Sequence, residues 1–187
     1  MTSILIDDDF VLRSFLPEDA QALFQCVDES RAKLRPWLNW VDQTTRPEHS
    51  LEFIKMVSAW KEAGNGFVLG IFTSADNKVV GVIGMNSYVA DQSRAQLGYW
   101  IHPSFEGQGL MYRAAQRFID FLFARLRLNK VEIRMVSENL RSAALAARLG
   151  AKVEGCIRAS YLSGGVLHDM LITGILRSEW EETKAGF

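Results

Sequence analysis

The sequence predicts a mixed α/β fold of the α+β class, with one sheet and helices packed against it. The chain has 187 residues, close to the length of one domain, so residues 1–187 are expected to form a single domain. Apolar residues make up 48% and charged residues 23% of the chain, as in globular proteins that bury a core. The hydrophobic period is helical in the first third of the chain and changes after Gly66 to short apolar runs typical of strands.

The first third of the chain predicts one strand followed by two helices. A strand candidate spans residues 9–16, and the Pro17-Glu18-Asp19 segment is typical of a helix start. Apolar residues at helical spacing continue this first helix to about Lys33. A second helix is expected from Pro47 until the Gly64-Asn65-Gly66 segment stops it.

The rest of the chain predicts six strands and two helices. Three apolar runs separated by turn residues predict consecutive strands at 67–72, 79–85 and 95–101. A strongly amphipathic helix follows Gly109 and extends to Leu126. The remaining expected elements are a strand at 130–136, a helix at 139–149 terminated by Gly150, and strands at 152–160 and 167–176.

The charge balance argues against nucleic acid and membranes as partners. The formal net charge is −1, without the excess of Lys and Arg that such polyanionic surfaces need. Residues 1–93 carry a net −5 and residues 94–187 a net +4. Scattered surface charge explains this asymmetry, and so does a site that holds an anionic cofactor beside a cationic substrate.

The two cysteines, Cys26 and Cys156, are expected to be reduced thiols. They lie far apart and have no metal-ligand spacing, so neither a disulfide framework nor a metal site is expected. Cys26 is expected to pack beside the apolar stripe of the first helix. The acidic N-terminus does not resemble a secretory signal, and no run of about 18 apolar residues occurs, so a cytoplasmic protein is expected.

A glycine-containing loop, Gly107-Gln108-Gly109, lies between a predicted strand and a predicted helix. Backbone N–H groups in such a loop converge at a helix N-terminus and can bind a phosphate. A plain strand-to-helix turn explains the glycines equally well. The loop is neither a P-loop nor a dinucleotide fingerprint, because the glycine spacing of both is absent.

Residues Glu106 to Met111 resemble the acetyl-CoA pyrophosphate motif of the GCN5-related N-acetyltransferases (GNAT), which reads Gln/Arg-x-x-Gly-x-Gly/Ala. Gly109 matches the glycine of the motif. Glu106 stands where the motif has Gln or Arg, and Met111 stands where it has a small residue. Methionine at the last place resembles a variant found in the RimJ/RimL-type branch, whose members acetylate protein N-termini.

Other segments over residues 10–178 resemble the same branch in the same order. They are Leu34 to Val41 (its Trp-Leu-x-Trp segment), Leu97 to Ile101 (its splayed strand), Glu138 to Ser142 (its Glu-Asn-x-x-Ser motif), and residues 151–156 with Tyr161-Leu162 and His168-Asp169 (its closing hairpin). The chain is therefore similar to RimJ/RimL-type ribosomal-protein N-acetyltransferases over most of its length.

This resemblance implies the GNAT fold, which has a central mixed, mostly antiparallel sheet, splayed central strands and helices on both faces. It also implies acetyl-CoA as cofactor, with CoA as product, and no metal. The cofactor-binding residues that it implies are Trp100, Ile101, Gly107, Gln108, Gly109, Leu110, Met111, Asn139 and Ser142.

The resemblance also implies catalytic roles. Ser142 would return a proton to the departing thiolate, Asn139 would hold the pantetheine arm, and a backbone amide near Trp100 and Ile101 would stabilise the oxyanion. From the residues alone, Ser142 is a polar residue one helical turn after Asn139, and a structural role stays open.

The general base stays open at this point. Glu106 and His102 adjoin the glycine loop, and the ordinary pKa of histidine, near 6.5, suits a base. His102 equally suits a strand cap. Further candidates are Asp42, Glu52, His168, Asp169 and a chain of water molecules.

Aromatic residues suggest an acceptor site. Trp37 and Trp40 lie in the connection between the first two helices, where packing and acceptor binding are equally good explanations. The resemblance implies that Tyr99 crowds the same groove as Trp37 and Trp40. Trp60 lies in the apolar stripe of the second helix and is expected to pack in the core.

The expected function is acetyl transfer from acetyl-CoA to the N-terminal α-amine of a protein, of the ribosomal-protein-serine or -alanine type, by direct attack in a ternary complex. The alternatives are a small-molecule amine acetyltransferase and a non-catalytic acyl-CoA sensor, because a shared fold does not separate them. A homodimer is expected from the resemblance and because Trp37, Leu38 and Trp40 would otherwise form an exposed apolar patch.

Overall fold

A computed structural model describes residues 2–185 of the chain, and an eight-stranded sheet organises them. The strands are β1 (Ser3–Leu5), β2 (Phe10–Arg13), β3 (Val68–Thr73), β4 (Val79–Val89), β5 (Arg94–Ile101), β6 (Lys130–Val136), β7 (Lys152–Ser163) and β8 (Val166–Leu176). The α-helices are α1 (Ala20–Leu34), α2 (Pro47–Glu62), α3 (Leu110–Leu126), α4 (Leu140–Arg148) and α5 (Arg177–Ala185).

The sheet is mixed but mostly antiparallel, as the resemblance implies. Its strand order is β1-β2-β3-β4-β5-β6-β8-β7, and only the β5–β6 pair is parallel. That pairing runs from Arg94 opposite Lys130 to Leu97 opposite Ile133 and then ends, although β5 continues to Ile101. The two central strands therefore diverge, which confirms the expected splay.

Helices cover both faces of the sheet, which is also confirmed. On one face, α3, α4 and α5 bury residues such as Phe118, Ala146 and Trp180 in one apolar cluster with the sheet. On the other face, α1 and α2 bury residues such as Leu23 and Ile54 in a second cluster. The side chains of a strand alternate between its two faces, so a single strand such as β4 contributes residues to both clusters.

The predicted elements all exist, but the prediction was incomplete at the two ends of the chain. Strand β1 and helix α5 were not predicted, because β1 has only three residues and α5 is largely polar. Strands β4 and β7 are longer than predicted. Gly150 has φ of 85° beyond the end of α4, in the left-handed conformation expected of a helix terminator.

Trp60 is not a core residue, so that prediction was wrong. Its side chain is 37% exposed. The buried stripe of α2 consists of Ser50, Ile54 and Val57, and position 60 lies about 60° around the helix from Val57. Trp60 therefore lies at the edge of the helix, where its side chain borders Gly66 just before β3.

Both cysteines are free thiols, as predicted, and Cys26 packs in the cluster beneath α1. Burial raises the pKa of the Cys26 thiol to about 12, so this thiol stays protonated and unreactive at neutral pH. Among the helices described, none is long and apolar enough to cross a membrane.

Candidate active site

The predicted site residues gather around an opening between β5 and β6, called the wedge below. It is bounded by residues 98–101 of β5, which pair with no strand on the β6 side among the described residues. Tyr99 packs toward the face covered by α3 and α4, whereas Trp100 packs toward the face covered by α1 and α2. Consequently, β5 presents different side chains to the two sides of the wedge.

A backbone amide of β5 points into the wedge. The His102 N–H donates to Val80 O at 2.8 Å, on the β4 side. Successive N–H groups of a strand point to opposite sides, so the Ile101 N–H faces the wedge and the Trp100 N–H faces β4. Of the two positions predicted to supply an oxyanion donor, only Ile101 presents its amide there.

The glycine loop leads into α3, and no side chain among the described residues caps the first N–H groups of this helix. Gly107 and Gly109 have φ of 75° and 70°, a backbone conformation that glycine adopts without strain. A side-chain carbon at Gly107 would meet no heavy atom within 4 Å. Gly109 is the N-cap of α3 and has no side chain to bond the first amides of the helix. These N–H groups therefore fit a pyrophosphate.

The backbone N–H groups of residues 107–111 are called the cradle below. Leu110 and Met111 contribute their backbone amides to it and not their side chains. Leu110 is 1% and Met111 is 9% exposed, and both side chains lie in the core cluster beneath α3. Because Met111 points into the core, its size does not obstruct the cradle. Gln108 is exposed, and its Nε2 donates to Ser104 O at 2.9 Å.

Glu106 does not stand alone beside the cradle. Its carboxylate forms an ion pair with Arg141, which belongs to the first turn of α4. The side chain of Arg141 is 75% exposed and that of Glu106 is 28% exposed. Sequence reasoning gave Arg141 no role, because residues 35 positions apart reveal no pairing without the fold.

Ser142 lies on the opposite side of the wedge in a hydrogen-bonded pair with Tyr99. Their hydroxyl oxygens are 2.9 Å apart. Asn139 is the N-cap of α4, and its Oδ1 accepts a hydrogen bond from Ser142 N at 3.1 Å. Burial raises the pKa of Tyr99 to about 12, so Tyr99 keeps its proton at neutral pH. The sequence analysis placed Tyr99 with Trp37 and Trp40, whereas in the structure the Tyr99 hydroxyl contacts Ser142.

His102 is 9% exposed, and both of its ring nitrogens have partners. Nδ1 accepts a hydrogen bond from Ser104 N at 3.2 Å, which leaves the ring proton on Nε2. Nε2 then donates to Glu29 of α1 at 3.0 Å. This geometry supports the strand-cap alternative, because neither nitrogen offers a free lone pair to an amine.

Trp40 and Trp37 lie on the α1–α2 side of the wedge. The Trp40 ring is 6.3 Å from the Trp100 ring, centroid to centroid. The Tyr161 hydroxyl of β7 donates to Trp37 O at 3.1 Å and accepts from Asn39 N at 3.2 Å. The closing hairpin therefore fixes the α1–α2 loop. No local sequence pattern reveals this contact, because its residues lie more than 120 positions apart.

The remaining base candidates are engaged in contacts or lie apart from the wedge residues. Asp42 pairs with Arg35 at 2.9 Å. The Oδ1 of Asp169 accepts from Ala159 N at 2.8 Å. His168 Nδ1 lies 3.7 Å from Glu138, and Glu52 is exposed on α2. No group of three or more His, Cys, Asp or Glu in residues 2–185 is arranged to hold a metal ion.

The structure therefore places uncapped backbone N–H groups, suited to an anion, on one side of the wedge and the hydroxyl pair of Ser142 and Tyr99 on the other. The chain belongs to the acetyltransferase (GNAT) domain family, whose model matches residues 9–152. It is therefore an acetyltransferase of the GNAT type.

The chain is also similar to particular acetyltransferases over most of its length. The [ribosomal protein uS5]-alanine N-acetyltransferase of Escherichia coli (strain K12) is 27% identical over 178 residues, which cover 94% of this chain and 92% of the relative. The ribosomal-protein-serine acetyltransferase of the same organism is 24% identical over 156 residues, covering 83% and 86%. RimL, a ribosomal L7/L12 α-N-protein acetyltransferase solved with coenzyme A, superposes with a TM-score of 0.90 at 25% identity, covering 95% of this chain and 99% of that chain.

Proposed function

We propose that this acetyltransferase uses acetyl-CoA to acetylate the N-terminal α-amine of a ribosomal protein that begins with a small residue such as Ser or Ala. The observation that carries the proposal is the wedge, which separates a cofactor side from an aromatic acceptor side. Similarity to enzymes that act on ribosomal proteins over more than nine-tenths of the chain supports this choice of acceptor. Such a substrate implies a cytoplasmic enzyme.

The cofactor would be held by backbone groups of the glycine loop. The amides of residues 107–111 bind its pyrophosphate in the proposal, and Asn139 holds the pantetheine arm at the start of α4. Acetyl-CoA, when bound, supplies an acetyl thioester. The Ile101 N–H, which faces the wedge, is the proposed donor to the developing oxyanion.

Ser142 is the proposed proton donor. Because Tyr99 keeps its proton, its hydroxyl can donate to Ser142 Oγ across the 2.9 Å contact. The Ser142 proton is then free to pass to the departing thiolate. His102 and Glu106 are both engaged, the first by a backbone amide and Glu29 and the second by Arg141. In the proposal, solvent water therefore takes the amine proton and returns a proton to Ser142.

The α1–α2 loop forms the proposed acceptor wall. Trp37 and Trp40 are both half-buried and held by contacts with Tyr161 and Trp100. Fixed aromatic walls favour a small first residue, because a bulky side chain would have to displace them.

A peptide assay tests the proposed function. Peptides that begin with Ser or Ala, and free amines such as polyamines, are incubated with the enzyme and acetyl-CoA, thiol release is followed, and the acetyl group is mapped by mass spectrometry. We expect label on the peptide α-amine. Labelling of small amines alone would favour the small-molecule alternative, and acetyl-CoA binding without any thiol release would favour the sensor.

The proposed enzyme is a homodimer, as the resemblance implies, but the apolar surface that supports a dimer is not the one expected from the sequence. Trp37, Leu38 and Trp40 are half-buried and form no exposed patch. The exposed apolar residues lie instead on the hairpin of β7 and β8, where Val153, Ile157, Leu162, Val166 and Leu167 are 47–68% exposed. Strand β7 is also the last strand of the sheet as described.

An exposed apolar edge strand of this length is a site for pairing with a second copy. Light scattering at micromolar concentration should therefore give about twice the chain mass of 21.1 kDa. Leu162→Lys together with Leu167→Lys should shift the mass to that of one chain, because the added charges disfavour burial. Ser58→Lys, on an exposed position of α2, serves as the charge control. A single-chain mass for the unmodified protein would contradict the dimer.

A further inference from the structure

The ion pair between Glu106 and Arg141 crosses the wedge. Glu106 directly precedes the glycine loop that opens α3, and Arg141 is the second residue of α4. The pair therefore joins the cradle side of the wedge to the side that carries Asn139 and Ser142. It is the only ion pair among the described residues that links these two segments.

A carboxylate at position 106 is unfavourable for an anion in the cradle. Its charge stands one residue before Gly107, and a diphosphate bound to the loop amides would be repelled by it. The other guanidinium at the loop is already engaged, since Arg113 Nε pairs with Asp7 at 2.8 Å and Arg113 Nη1 donates to Gln108 O at 3.0 Å. This leaves Arg141 as the cation in contact with Glu106.

We infer that Arg141 is a positioning residue for the cofactor, because it cancels the charge of Glu106 at the cradle. The inference rests on the proposed acetyl-CoA site. It predicts that Glu106→Gln restores the affinity that Arg141→Gln loses, because removing both charges returns the pair to zero net charge. If Arg141 were a direct phosphate ligand, neutralising Glu106 would not replace the lost contact, and a solvated surface pair would have no effect at all.

A double-mutant cycle separates these three roles. Dissociation constants for acetyl-CoA are measured by calorimetry for the unmodified chain, Arg141→Gln, Glu106→Gln and the double variant. We expect Arg141→Gln to weaken binding about tenfold, the effect of one exposed charge near a diphosphate. Glu106→Gln should bind no more weakly than the unmodified chain, and the double variant should return to within about threefold of it.

Two further measurements sharpen the cycle. Added salt should shrink the Arg141→Gln deficit, because the repulsion that it exposes is screened. The deficit should persist with 3′-dephospho-CoA, since the pair adjoins the proposed diphosphate cradle. Loss of the deficit with this ligand would show that Arg141 reads the 3′-phosphate and would overturn the inference.

Lys152→Gln is the matched control. It removes one positive charge from an exposed ion pair, with Glu179, in which the lysine side chain is 74% exposed. It should leave acetyl-CoA affinity within twofold. A double variant that binds acetyl-CoA as weakly as Arg141→Gln, or no loss of affinity in Arg141→Gln itself, would overturn the inference alone. An unmodified chain that binds no acetyl-CoA would overturn the proposed function and the inference with it.

Discussion

At the scale of single residues, the proposed chemistry depends on one hydrogen-bonded pair. Ser142 lies in the first turn of α4, and the hydroxyl of the half-buried Tyr99 lies 2.9 Å from its Oγ. The sequence shows that Asn139 and Ser142 share a helical turn, but it does not reveal the partner of Ser142. Tyr99 precedes Ser142 by 43 positions, so only the packing of α4 against the splayed end of β5 brings them together.

Replacing Ser142 with Ala should slow catalysis without weakening cofactor binding. We expect kcat to fall about 10²-fold, the usual contribution of a positioned acid, with an unchanged dissociation constant for acetyl-CoA. Steady-state rates and calorimetry make the comparison. Ser58→Ala, an exposed serine of α2, is the control and should retain full activity. If kcat of Ser142→Ala stayed within about threefold of the unmodified enzyme, we would conclude that the Ser142 hydroxyl has a structural role and is not the acid.

At the scale of elements, periodicity and turn residues predict most of the fold. The amphipathic pattern of α3 and the continuous strand β6 are read correctly because burial on one face, or on both, leaves a clear sequence pattern. Short or polar elements such as β1 and α5 leave none. The sequence also does not reveal the hydrogen bond from Tyr161 to the α1–α2 loop, because this contact depends on the position of β7 at the far end of the sheet.

The start of α3 gives a prediction at this scale. Gly109→Val adds a branched side chain to the cradle at φ of 70° and should abolish acetyl-CoA binding. It should also destabilise the fold by about 1–2 kcal/mol, because the left-handed conformation is strained for branched residues. Calorimetry measures binding, and thermal unfolding measures stability.

Gly150→Val is the matched control for strain. Gly150 has φ of 85° and open space around it, but it lies at the opposite end of α4 from Asn139 and Ser142. It should lose similar stability and keep its affinity for acetyl-CoA. If Gly109→Val also bound acetyl-CoA normally, the cofactor would not use this loop.

The junction of β2 and α1 predicts a loss of stability in acid. Arg13 forms two hydrogen bonds, of 2.7 and 2.8 Å, with the buried Asp19 carboxylate. Burial alone would raise the pKa of Asp19, but hydrogen bonds from Arg13 and Leu16 N and the charge of Arg13 outweigh it, so the pKa lies below its ordinary value of 3.8. The stabilisation is therefore full above the unfolded pKa and is lost as pH falls through the lower folded pKa.

Asp19→Asn should lower the melting temperature at neutral pH and flatten its decline in acid. The measurement is thermal unfolding from pH 7 to pH 3. Asp28→Asn is the control, because Asp28 pairs with Arg31 through a carboxylate that is 58% exposed and should contribute little. Equal acid sensitivity of the unmodified chain and Asp19→Asn would assign the decline to other carboxyl groups.

At the scale of the whole molecule, the two halves of the chain differ in charge and in role. Residues 1–93 carry a net −5 and contain the α1–α2 loop, whereas residues 94–187 carry a net +4 and contain the glycine loop and α4. The Glu29 side chain, on α1, is 59% exposed, and the Asp42 side chain, in the α1–α2 loop, is 50% exposed. The proposed acceptor wall thus lies in the acidic half of the chain, and the proposed cofactor site lies in the basic half.

This polarity predicts how the acceptor approaches. Peptides that begin with Ser or Ala and carry Lys or Arg nearby should be acetylated with a higher kcat/KM than matched peptides with Gln at those positions, because the acidic half attracts them. The advantage should decline as ionic strength rises toward 0.5 M, since screening shortens the reach of exposed charges. Asp42→Asn should reduce the advantage of the basic peptides, and Asp91→Asn, in the exposed turn after β4, is the control. A preference for basic peptides that is unchanged by salt would instead indicate a specific contact to the basic side chain. Equal kcat/KM values for the basic and the Gln peptides would show that electrostatic attraction does not select the acceptor.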